Sequence, residues 1–339
     1  MRAVFIVRNG PPERAFELRE APMPQPGAGQ IRIQVEAFGL NFADVMARIG
    51  MYPDAPPLPA IVGYDVVGRV DSLGSGVSGP APGTRVVALT RFGGYAEYAV
   101  TDARAVVPVP EDMDPALATS LATQCGTAWY MAMEAVNLRS GDQVLVQNAA
   151  GGVGAALVQL AKHRGCFVYG TAGSPAKLDY LRSIGVDVPI DYRVNRFGEV
   201  IAPMVRGRGL DVVFDALGGR DFQEGFKLLG AGGRMVAYGA SSLSGAPNGF
   251  MRALQALRFG FYHPLALIGP SRALIGVNML RLADHRPEVL ADVLHRTVAA
   301  VQEGVLRPAV SRTFPVSEIA AAHAFLQGRQ AMGKVAVAW

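Results

Sequence analysis

Cysteine and histidine, the residues that most often bind zinc, are scarce in this chain of 339 residues. The two cysteines, Cys125 and Cys166, can form neither a disulfide framework nor a four-thiolate zinc site. We interpret Cys125 as a small buried filler rather than as a nucleophile. The five histidines are scattered singly, and each is interpreted as a surface or packing residue: His163, His263, His285, His295 and His323. These counts argue against a bound metal.

Charged side chains make up only 18% of the chain, whereas half of its residues are apolar. This balance predicts large buried surfaces, and we expect an oligomer interface among them. The formal net charge of +4 comes from basic residues that form no run and no stripe interleaved with aromatic residues. Attraction for a small anionic ligand accounts for this excess, so the sequence argues against nucleic-acid binding.

Hydrolytic motifs, a signal peptide and a membrane span are missing as well. No Gly-x-Ser-x-Gly elbow or close pair of carboxylates indicates hydrolysis. The apolar run near the amino terminus is too short for a signal peptide. Residues 116–133 carry no formal charge, but polar side chains such as Thr119, Gln124 and Thr127 predict a buried inter-domain helix instead of a bilayer span. We expect a cytoplasmic protein with no integral membrane segment.

Residues 1–122 have the pattern of a small irregular barrel. The run from Ile31 to Val35 alternates apolar and polar side chains, and further strand-like runs follow between Gly/Pro turns. Residues 41–48 predict a short helix between two strands. The proline-rich loop 50–59 that follows is expected to wall a pocket.

From residue 123 the pattern changes to strands alternating with helices of about ten residues, which predicts an α/β domain with a parallel, doubly wound sheet. A strand at 273–278 closes one edge of this sheet, and a helix follows at 287–303. The Ser/Gly/Pro-rich and aromatic stretch 241–271 interrupts the rhythm and is interpreted as a lid or partner surface. Residues 307–339 predict more barrel. The predicted domains are therefore a discontinuous barrel domain, 1–122 and 279–339, with the sheet domain inserted at 123–278.

The stretch Asp142–Lys162 organises the predicted sheet domain. It reads as a buried strand, a turn containing Gly151, Gly152 and Gly154, and a helix that begins near Val153. Glycines let the backbone approach a pyrophosphate, and the new helix presents unpaired N–H groups and a positive dipole end to it. This layout predicts a dinucleotide-binding site.

The end of the next strand indicates which dinucleotide binds. A site that prefers NAD places Asp or Glu on the ribose hydroxyls roughly 20 residues past the glycine turn. Here Thr171 is followed by Ala, Gly and Ser174, with Lys177 three residues later and Tyr192 at the end of the following strand. A 2′-phosphate can take hydrogen bonds from Ser174 and Tyr192 and charge from Lys177, so we predict NADPH. The alternative is that Ser174 only caps the helix and Lys177 is solvated.

Several stretches together carry a resemblance to a known family: Gly39–Arg48, Pro56–Pro59, Gly141–Lys162, Pro189–Tyr192, Asp215–Gly219 and Gly333–Val335. They resemble the zinc-independent quinone oxidoreductases, the zeta-crystallin branch of the medium-chain dehydrogenase/reductase superfamily, and in particular the vesicle amine transport protein-like subfamily. The resemblance covers essentially the whole chain. It implies a doubly wound parallel Rossmann sheet inserted into a GroES-like β-barrel domain, NADPH as cofactor, a cleft between the domains, and a homodimer that pairs through the edge strand near 273–278.

The resemblance also implies the cofactor contacts. Positions on the nicotinamide side match Asn41, Thr127 and Asn278. Those that contact the 2′-phosphate match Ser174, Lys177 and Tyr192, and backbone near Gly152, Val153 and Gly239 lines the groove. We also predict that Gly151, Thr171, Tyr238 and Val277 bind the cofactor.

Two departures from relatives bear on the chemistry. Asn41 stands where the zinc enzymes of the superfamily carry a first Cys, and Gly63-Tyr64-Asp65 stands where they carry Gly-His-Glu. Met46 fills a position where several quinone reductases have Tyr, so quinone positioning is not carried over from them.

Catalysis without a metal is then expected from Asn41, Asp44 and Tyr52. Hydride goes to the electrophilic atom, while the developing enolate or phenolate takes a hydrogen bond and then a proton. Tyr52 matches the tyrosine that zinc-free enoyl-thioester reductases use as proton donor. The alternatives are that Tyr52 packs on the prolines of its loop and that Asp44 only orients the short helix.

The predicted function is an NADPH-dependent reductase of quinones or α,β-unsaturated carbonyl compounds. One alternative is an enoyl-thioester reductase, in which Arg252 and Arg258 would serve a carrier phosphate. The other is a non-catalytic NADPH-binding sensor or scaffold.

Overall fold

The computed structural model describes residues 1–245 and 257–339. The chain divides into two compact units, Met1–Thr127 with Met279–Trp339 and Ala128–Asn278. We call them the barrel unit and the sheet unit. Part of the stretch 241–271, including Arg252, lies outside the described residues, so its interpretation as a lid or partner surface stays a prediction.

The described residues form strands in both units, and the bounds of each strand fix its carboxyl end. In chain order they are β1 (Arg2–Ile6), β2 (Phe16–Glu20), β3 (Gln30–Leu40), β4 (Asp65–Leu73), β5 (Arg85–Leu89), β6 (Tyr98–Asp102), β7 (Val106–Pro108), β8 (Gln143–Val146), β9 (Phe167–Ala172), β10 (Val188–Asp191), β11 (Leu210–Asp215), β12 (Leu229–Ala237), β13 (Ala273–Gly276), β14 (Val310–Pro315) and β15 (Lys334–Ala338).

The α-helices are α1 (Pro12–Ala15), α2 (Phe42–Arg48), α3 (Pro115–Ala118), α4 (Gly126–Trp129), α5 (Gly152–His163), α6 (Pro175–Ser183), α7 (Phe197–Met204), α8 (Gly219–Leu228), α9 (Pro264–Ile268), α10 (Met279–His285), α11 (Pro287–Gln302) and α12 (Ile319–Gln327). Short 3₁₀ turns lie at Ala103–Ala105, Ser241–Gly245 and Val316–Glu318. Two π-helical turns lie at Leu121–Cys125 and Tyr130–Ala135.

The barrel unit is built on a sheet in the order β14-β15-β3-β4-β5-β7, with β6 also paired to β3. Its core is made by side chains from alternate positions of these strands, and Ile31, Ile33 and Val35 are buried in it as their period predicts. Strand β15 runs antiparallel to β3 and joins the end of the chain to its beginning.

The sheet unit contains a parallel sheet in the order β10-β9-β8-β11-β12-β13. Helices connect its successive strands, and the order reverses between β8 and β11. This confirms the predicted doubly wound sheet, in which ligands bind beyond the carboxyl ends of the strands at the point of reversal. A cluster of buried apolar residues, including Leu145, Val213 and Phe222, forms its core.

The structure differs from the sequence prediction in two stretches. The single buried helix expected at 116–133 is divided into α3, α4 and two π-helical turns. Residues 307–339, predicted as more barrel, form β14 and β15 and also contain α12, because Ile319, Ala322 and His323 lie on one buried helical face. Among the helices of the described residues, none combines the length and apolar character that a bilayer span requires.

We predict that Gly68→Ala destabilises the barrel unit. Gly68 lies opposite Val35 in the paired strands β3 and β4, and a Cβ at Gly68 would lie 1.9 Å from the carbonyl oxygen of Gln34. Because backbone would have to shift, the free energy of unfolding should fall by about 1–3 kcal/mol. Chemical denaturation measures this change.

Gly79→Ala is the matched control, since the nearest atom to its added Cβ is 3.9 Å away. Equal destabilisation by the two substitutions would contradict the steric explanation.

Candidate functional site

The glycine turn of the sheet unit leaves room for a ligand only because side chains are excluded there. Helix α5 begins at Gly152 directly after the cap residue Gly151. A Cβ at Gly154 would lie 2.3 Å from the carbonyl oxygen of Asn148. The backbone of Asn148 is in the left-handed region, with a φ of 51°. The third glycine is therefore needed for the helix to approach the turn. The N–H groups of the first helical turn are left for a ligand.

Thr171 holds this turn from the neighbouring strand. Its hydroxyl accepts a hydrogen bond from the N–H of Asn148 at 3.1 Å, and its carbonyl accepts one from the N–H of Ala149 at 3.0 Å. Thr171 is buried. Its contacts therefore shape the turn.

Ser174 and Tyr192 follow the carboxyl ends of the adjacent strands β9 and β10. Ser174 caps α6, and its hydroxyl accepts a hydrogen bond from the N–H of Lys177 at 3.3 Å. Tyr192 is half-exposed, and a Cβ at Gly173 would lie 2.4 Å from its hydroxyl oxygen. The tyrosine ring thus lies over Gly173, next to the cap. No Asp or Glu occurs from Thr171 to Lys177.

The other predicted cofactor residues of the sheet unit also lie at the carboxyl edge of the sheet. The N–H of Tyr238 donates to the carbonyl of Asp215 at 3.0 Å, which places Tyr238 and Gly239 beside the end of β11. The N–H of Val277 donates to the carbonyl of Ala237 at 2.9 Å. The structure therefore brings the sheet-unit residues of the prediction to one edge.

The barrel unit contains Asn41, Asp44, Tyr52 and Thr127, and the first of these belongs to a buried polar cluster. The amide Nδ2 of Asn41 donates to Oδ2 of Asp65 at 2.6 Å. The ammonium of Lys334 donates to the same Oδ2 at 2.5 Å and to Oδ1 of Asn41 at 3.1 Å. Lys334 and Asp65 are fully buried. We call Asn41, Asp65 and Lys334 the ammonium cluster.

Asp44 lies one helical turn from this cluster. Its carboxylate accepts the N–H of Asn41 at 2.8 Å, so it orients the start of α2. Burial raises the pKa of Asp44 to about 7, although the N–H of Asn41 and the charge of Lys334 both act to lower it. The group therefore titrates near neutral pH.

Tyr52 lies in an aromatic group with Tyr64 and Phe92. Its ring meets that of Tyr64 edge-on, with centroids 6.3 Å apart, and Tyr64 meets Phe92 at 5.3 Å. Burial raises the pKa of Tyr52, so the phenol is protonated at neutral pH and can donate a hydrogen bond. Tyr52 also packs against the barrel core, and the packing and donor roles are compatible.

The cysteines and histidines have the properties of structural residues. Burial raises the pKa of Cys125 to about 12 and that of Cys166 to about 11, so both remain thiols at neutral pH. His323 is buried, its ring packs at a tilt against Phe16 with centroids 4.6 Å apart, and it shares a 3.1 Å hydrogen bond with the hydroxyl of Tyr95. The other four histidines are exposed.

The donor set around Asn41 does not fit a zinc ion. Both oxygens of Asp65 already accept hydrogen bonds, one from the ammonium of Lys334 and one from the N–H of Thr123 at 2.7 Å. A dication at this place would lie against the buried positive charge of Lys334, with the neutral amide of Asn41 as a further neighbour. Among the described residues, no group of three His, Cys, Asp or Glu side chains converges as a metal site would require.

Family models match both parts of the chain. The model described as "Alcohol dehydrogenase GroES-like domain" matches residues 27–111, and "Zinc-binding dehydrogenase" matches residues 152–290. The human synaptic vesicle membrane protein VAT-1 homolog is 35% identical over 323 residues, covering 94% of this chain and 81% of that protein. The chain belongs to the medium-chain dehydrogenase/reductase superfamily.

Further relatives place it in the quinone oxidoreductase and VAT-1 branch of that superfamily, which confirms the resemblance predicted from sequence. A 2-haloacrylate reductase from Burkholderia sp. is 32% identical and covers 99% of this chain and 98% of that protein. By this family and fold the chain is an oxidoreductase.

Solved structures agree with this placement. Escherichia coli quinone oxidoreductase complexed with NADPH has a TM-score of 0.87 at 25% identity, with full coverage of both chains. A mycobacterial protein complexed with NADPH has a TM-score of 0.88 at 28% identity, also with full coverage. The enoyl reductase CurK has a TM-score of 0.86 at 25% identity and covers 99% of this chain and 98% of CurK.

Sequence reasoning missed the two charged members of the ammonium cluster. In the sequence, Lys334 belongs to the stretch Gly333–Val335 that carries the family resemblance, and Asp65 stands where the zinc enzymes carry Glu. Neither pattern predicts a catalytic or binding role for these two residues. A usable signal existed for Lys334, because a lone lysine before the apolar run Val335–Val337 must place a charge within a buried strand.

We predict that Asp44→Asn flattens the pH dependence of stability. The pKa of Asp44 rises from 3.8 to about 7 on folding, so the folded state holds a proton that the unfolded state has released. The wild type should therefore lose about 4 kcal/mol of unfolding free energy as pH rises from about 4 to about 7, and no more above that. The variant should lack this loss.

Denaturation at a series of pH values measures the difference. Asp112→Asn, at an exposed position of the same unit, is the control and should follow the wild type. Parallel curves for Asp44→Asn and wild type would show that Asp44 does not titrate in this range.

Proposed function

We propose that the chain is an NADPH-dependent reductase that reduces quinones or α,β-unsaturated carbonyl compounds without a metal ion. The observation that carries this proposal is the arrangement at the ends of β9 and β10. There Ser174 caps the helix that contains Lys177, Tyr192 lies over Gly173, and no carboxylate occupies the position that would select NAD.

The residues at the carboxyl edge fit this cofactor. The N–H groups near Gly151, Gly152 and Val153 suit a pyrophosphate, since the start of α5 provides donors and a positive dipole end. Ser174, Lys177 and Tyr192 would hold the 2′-phosphate. Tyr238, Gly239, Val277 and Asn278 would line the groove, with Asn41 and Thr127 on the nicotinamide side. When bound, NADPH supplies a hydride from C4 of its nicotinamide.

The chain's own residues must stabilise the oxygen on which negative charge develops. Asn41 uses one amide hydrogen for Asp65, and its second is directed at a ligand in this proposal. Tyr52 holds a proton at neutral pH and would give it to the enolate or phenolate. Hydride plus this one proton saturates an alkene or converts a quinone to a hydroquinone, and the Tyr52 phenolate then regains a proton from solvent. Asp44 would orient Asn41 rather than exchange the proton.

The ammonium cluster supports the metal-free part of the proposal. A positive charge already lies between the two residues that stand in place of zinc ligands. The charge stabilisation that zinc supplies elsewhere would here come from hydrogen-bond donors.

Enoyl-thioester reduction is the second candidate, favoured by the likeness to CurK and by the position of Tyr52. Arg258 is half-buried, and Arg252 lies outside the described residues, so their role toward a carrier phosphate stays a prediction. The homodimer also stays a prediction. Strand β13 is an edge strand with Leu274 partly exposed, as pairing between two copies would need.

We predict that chelator-treated protein oxidises NADPH with a quinone or an enone, as followed by the loss of nicotinamide absorbance. An enoyl thioester included in the same series distinguishes the second candidate. Dependence of the activity on added zinc would contradict the metal-free proposal. Tight NADPH binding with no turnover on any acceptor would favour a non-catalytic sensor or scaffold.

We predict that Lys177→Met weakens NADPH binding by about 10-fold or more and leaves NADH binding unchanged, because only NADPH has a phosphate for the ammonium to contact. Calorimetric titration of both cofactors measures the ratio. Lys227→Met, in the last turn of α8 of the same unit, is the control for loss of a surface charge. Equal weakening of both cofactors by Lys177→Met would place the phosphate elsewhere.

A further inference from the structure

The ion pair of Lys334 and Asp65 needs an explanation because it is fully buried. Neither side chain has any exposed surface, and Nζ lies 2.5 Å from Oδ2. Desolvating two charges costs several kcal/mol per ion, and an apolar pair of similar volume is often as stable or more so. A contribution to stability alone is therefore a weak reason for this pair. The groups that the pair holds in place give a stronger reason.

The pair fixes the orientation of the Asn41 amide. Nδ2 faces the carboxylate of Asp65, and Oδ1 faces the ammonium of Lys334. A flipped amide would put its hydrogens against the ammonium and its oxygen against the carboxylate, so one orientation is strongly preferred. The second hydrogen on Nδ2 then points in a single direction. The ammonium on Oδ1 also polarises the amide, which makes that hydrogen a stronger donor.

The same carboxylate fixes the backbone that leads to Thr127. Oδ1 of Asp65 accepts the N–H of Thr123 at 2.7 Å, within the π-helical turn Leu121–Cys125. Helix α4, which contains Thr127, follows that turn directly. Asp65 therefore contacts Asn41 directly and fixes the turn that leads into the helix of Thr127.

Strand β3 leaves a dedicated space for the lysine. A Cβ at Gly39 would lie 2.1 Å from Cε of Lys334 and 2.9 Å from Cβ of Thr119. The stem of Lys334 thus crosses the strand at the one residue type without a side chain. This is an independent sign that the lysine is built into the site.

We propose that Lys334 and Asp65 are positioning residues that hold Asn41 and Thr127 against the nicotinamide ring of the reduced cofactor. The inference rests on the proposed function. The fixed ammonium takes the place of the metal cation of the zinc branch, and it acts through the amide of Asn41 rather than on the substrate.

The first test compares two ligands. NADPH and 2′-phospho-ADP-ribose share every group except the nicotinamide, so the ratio of their Kd values isolates the contribution of the ring. In Lys334→Met we expect the Kd of NADPH to rise about 10-fold or more, while the Kd of 2′-phospho-ADP-ribose stays as in the wild type. An unchanged ratio would overturn the proposal.

The second test asks whether Lys334 acts through Asn41. We expect Lys334→Met and Asn41→Ala each to lower the single-turnover rate of hydride transfer by about 10- to 100-fold. The double variant should be no slower than the slower single variant, since both remove the same donor. Independent, multiplying effects would mean that Lys334 does not act through Asn41.

Lys334→Met leaves the buried carboxylate of Asp65 without its cation, which can itself disturb folding. The double variant Asp65→Asn with Lys334→Met removes both charges, and this neutral pair is measured alongside the single variant. A folded neutral pair with the same loss of the nicotinamide contribution supports positioning. A folded neutral pair with wild-type rate and ligand ratio overturns it, and so does failure of the neutral pair to fold, because the role would then be structural.

Glu36→Gln serves as the matched control. It breaks the ion pair of Glu36 with the nearly buried Arg85 in the same unit, at 3.0 Å, and should leave the ligand ratio unchanged. Measurements on the wild type distinguish failure of the positioning proposal from failure of the proposed function. Wild-type protein that binds NADPH no better than 2′-phospho-ADP-ribose and transfers no hydride would mean that the proposed function itself has failed.

Discussion

A buried ammonium ties together four distant parts of the barrel unit. Lys334 starts the last strand, Asp65 starts β4, Asn41 directly follows β3, and Thr123 lies in the π-helical turn before α4. The other three residues all contact the carboxylate of Asp65. Each donor reduces the cost of burying that carboxylate, and the carboxylate in turn neutralises the lysine. Because the unit is made from both ends of the chain, this contact also joins those ends.

The sheet unit depends on a different constraint, which is the exclusion of side chains. Gly154 allows α5 to approach the carbonyl of Asn148, and Gly173 leaves space below Tyr192. In a parallel sheet every strand ends at the same edge, so positions as far apart in sequence as Gly151 and Asn278 converge there. The barrel unit arranges donors in its core, whereas the sheet unit arranges backbone amides at an edge.

Sequence reasoning found the sheet unit well and the ammonium cluster poorly, for a physical reason. The glycine turn, the cap at Ser174 and the alternation of strands with helices are local patterns, readable within a few residues. Lys334 and Asp65 are 269 positions apart, and no local rule pairs them. The prediction of more barrel at 307–339 did not separate helix α12 from its neighbouring strands, although Ile319, Ala322 and His323 carry a helical period. The divided helix at 116–133 reflects π-helical turns, which have no sequence rule of comparable strength.

A crystal structure with NADPH bound, from data collected on both sides of the zinc absorption edge, tests the central claim most directly. Our account predicts pyrophosphate density against the N–H groups of Gly151–Val153, the 2′-phosphate beside Ser174 and Lys177, and no anomalous signal at Asn41 and Asp65. A zinc peak at the ammonium cluster, or an empty carboxyl edge at saturating NADPH, would contradict it.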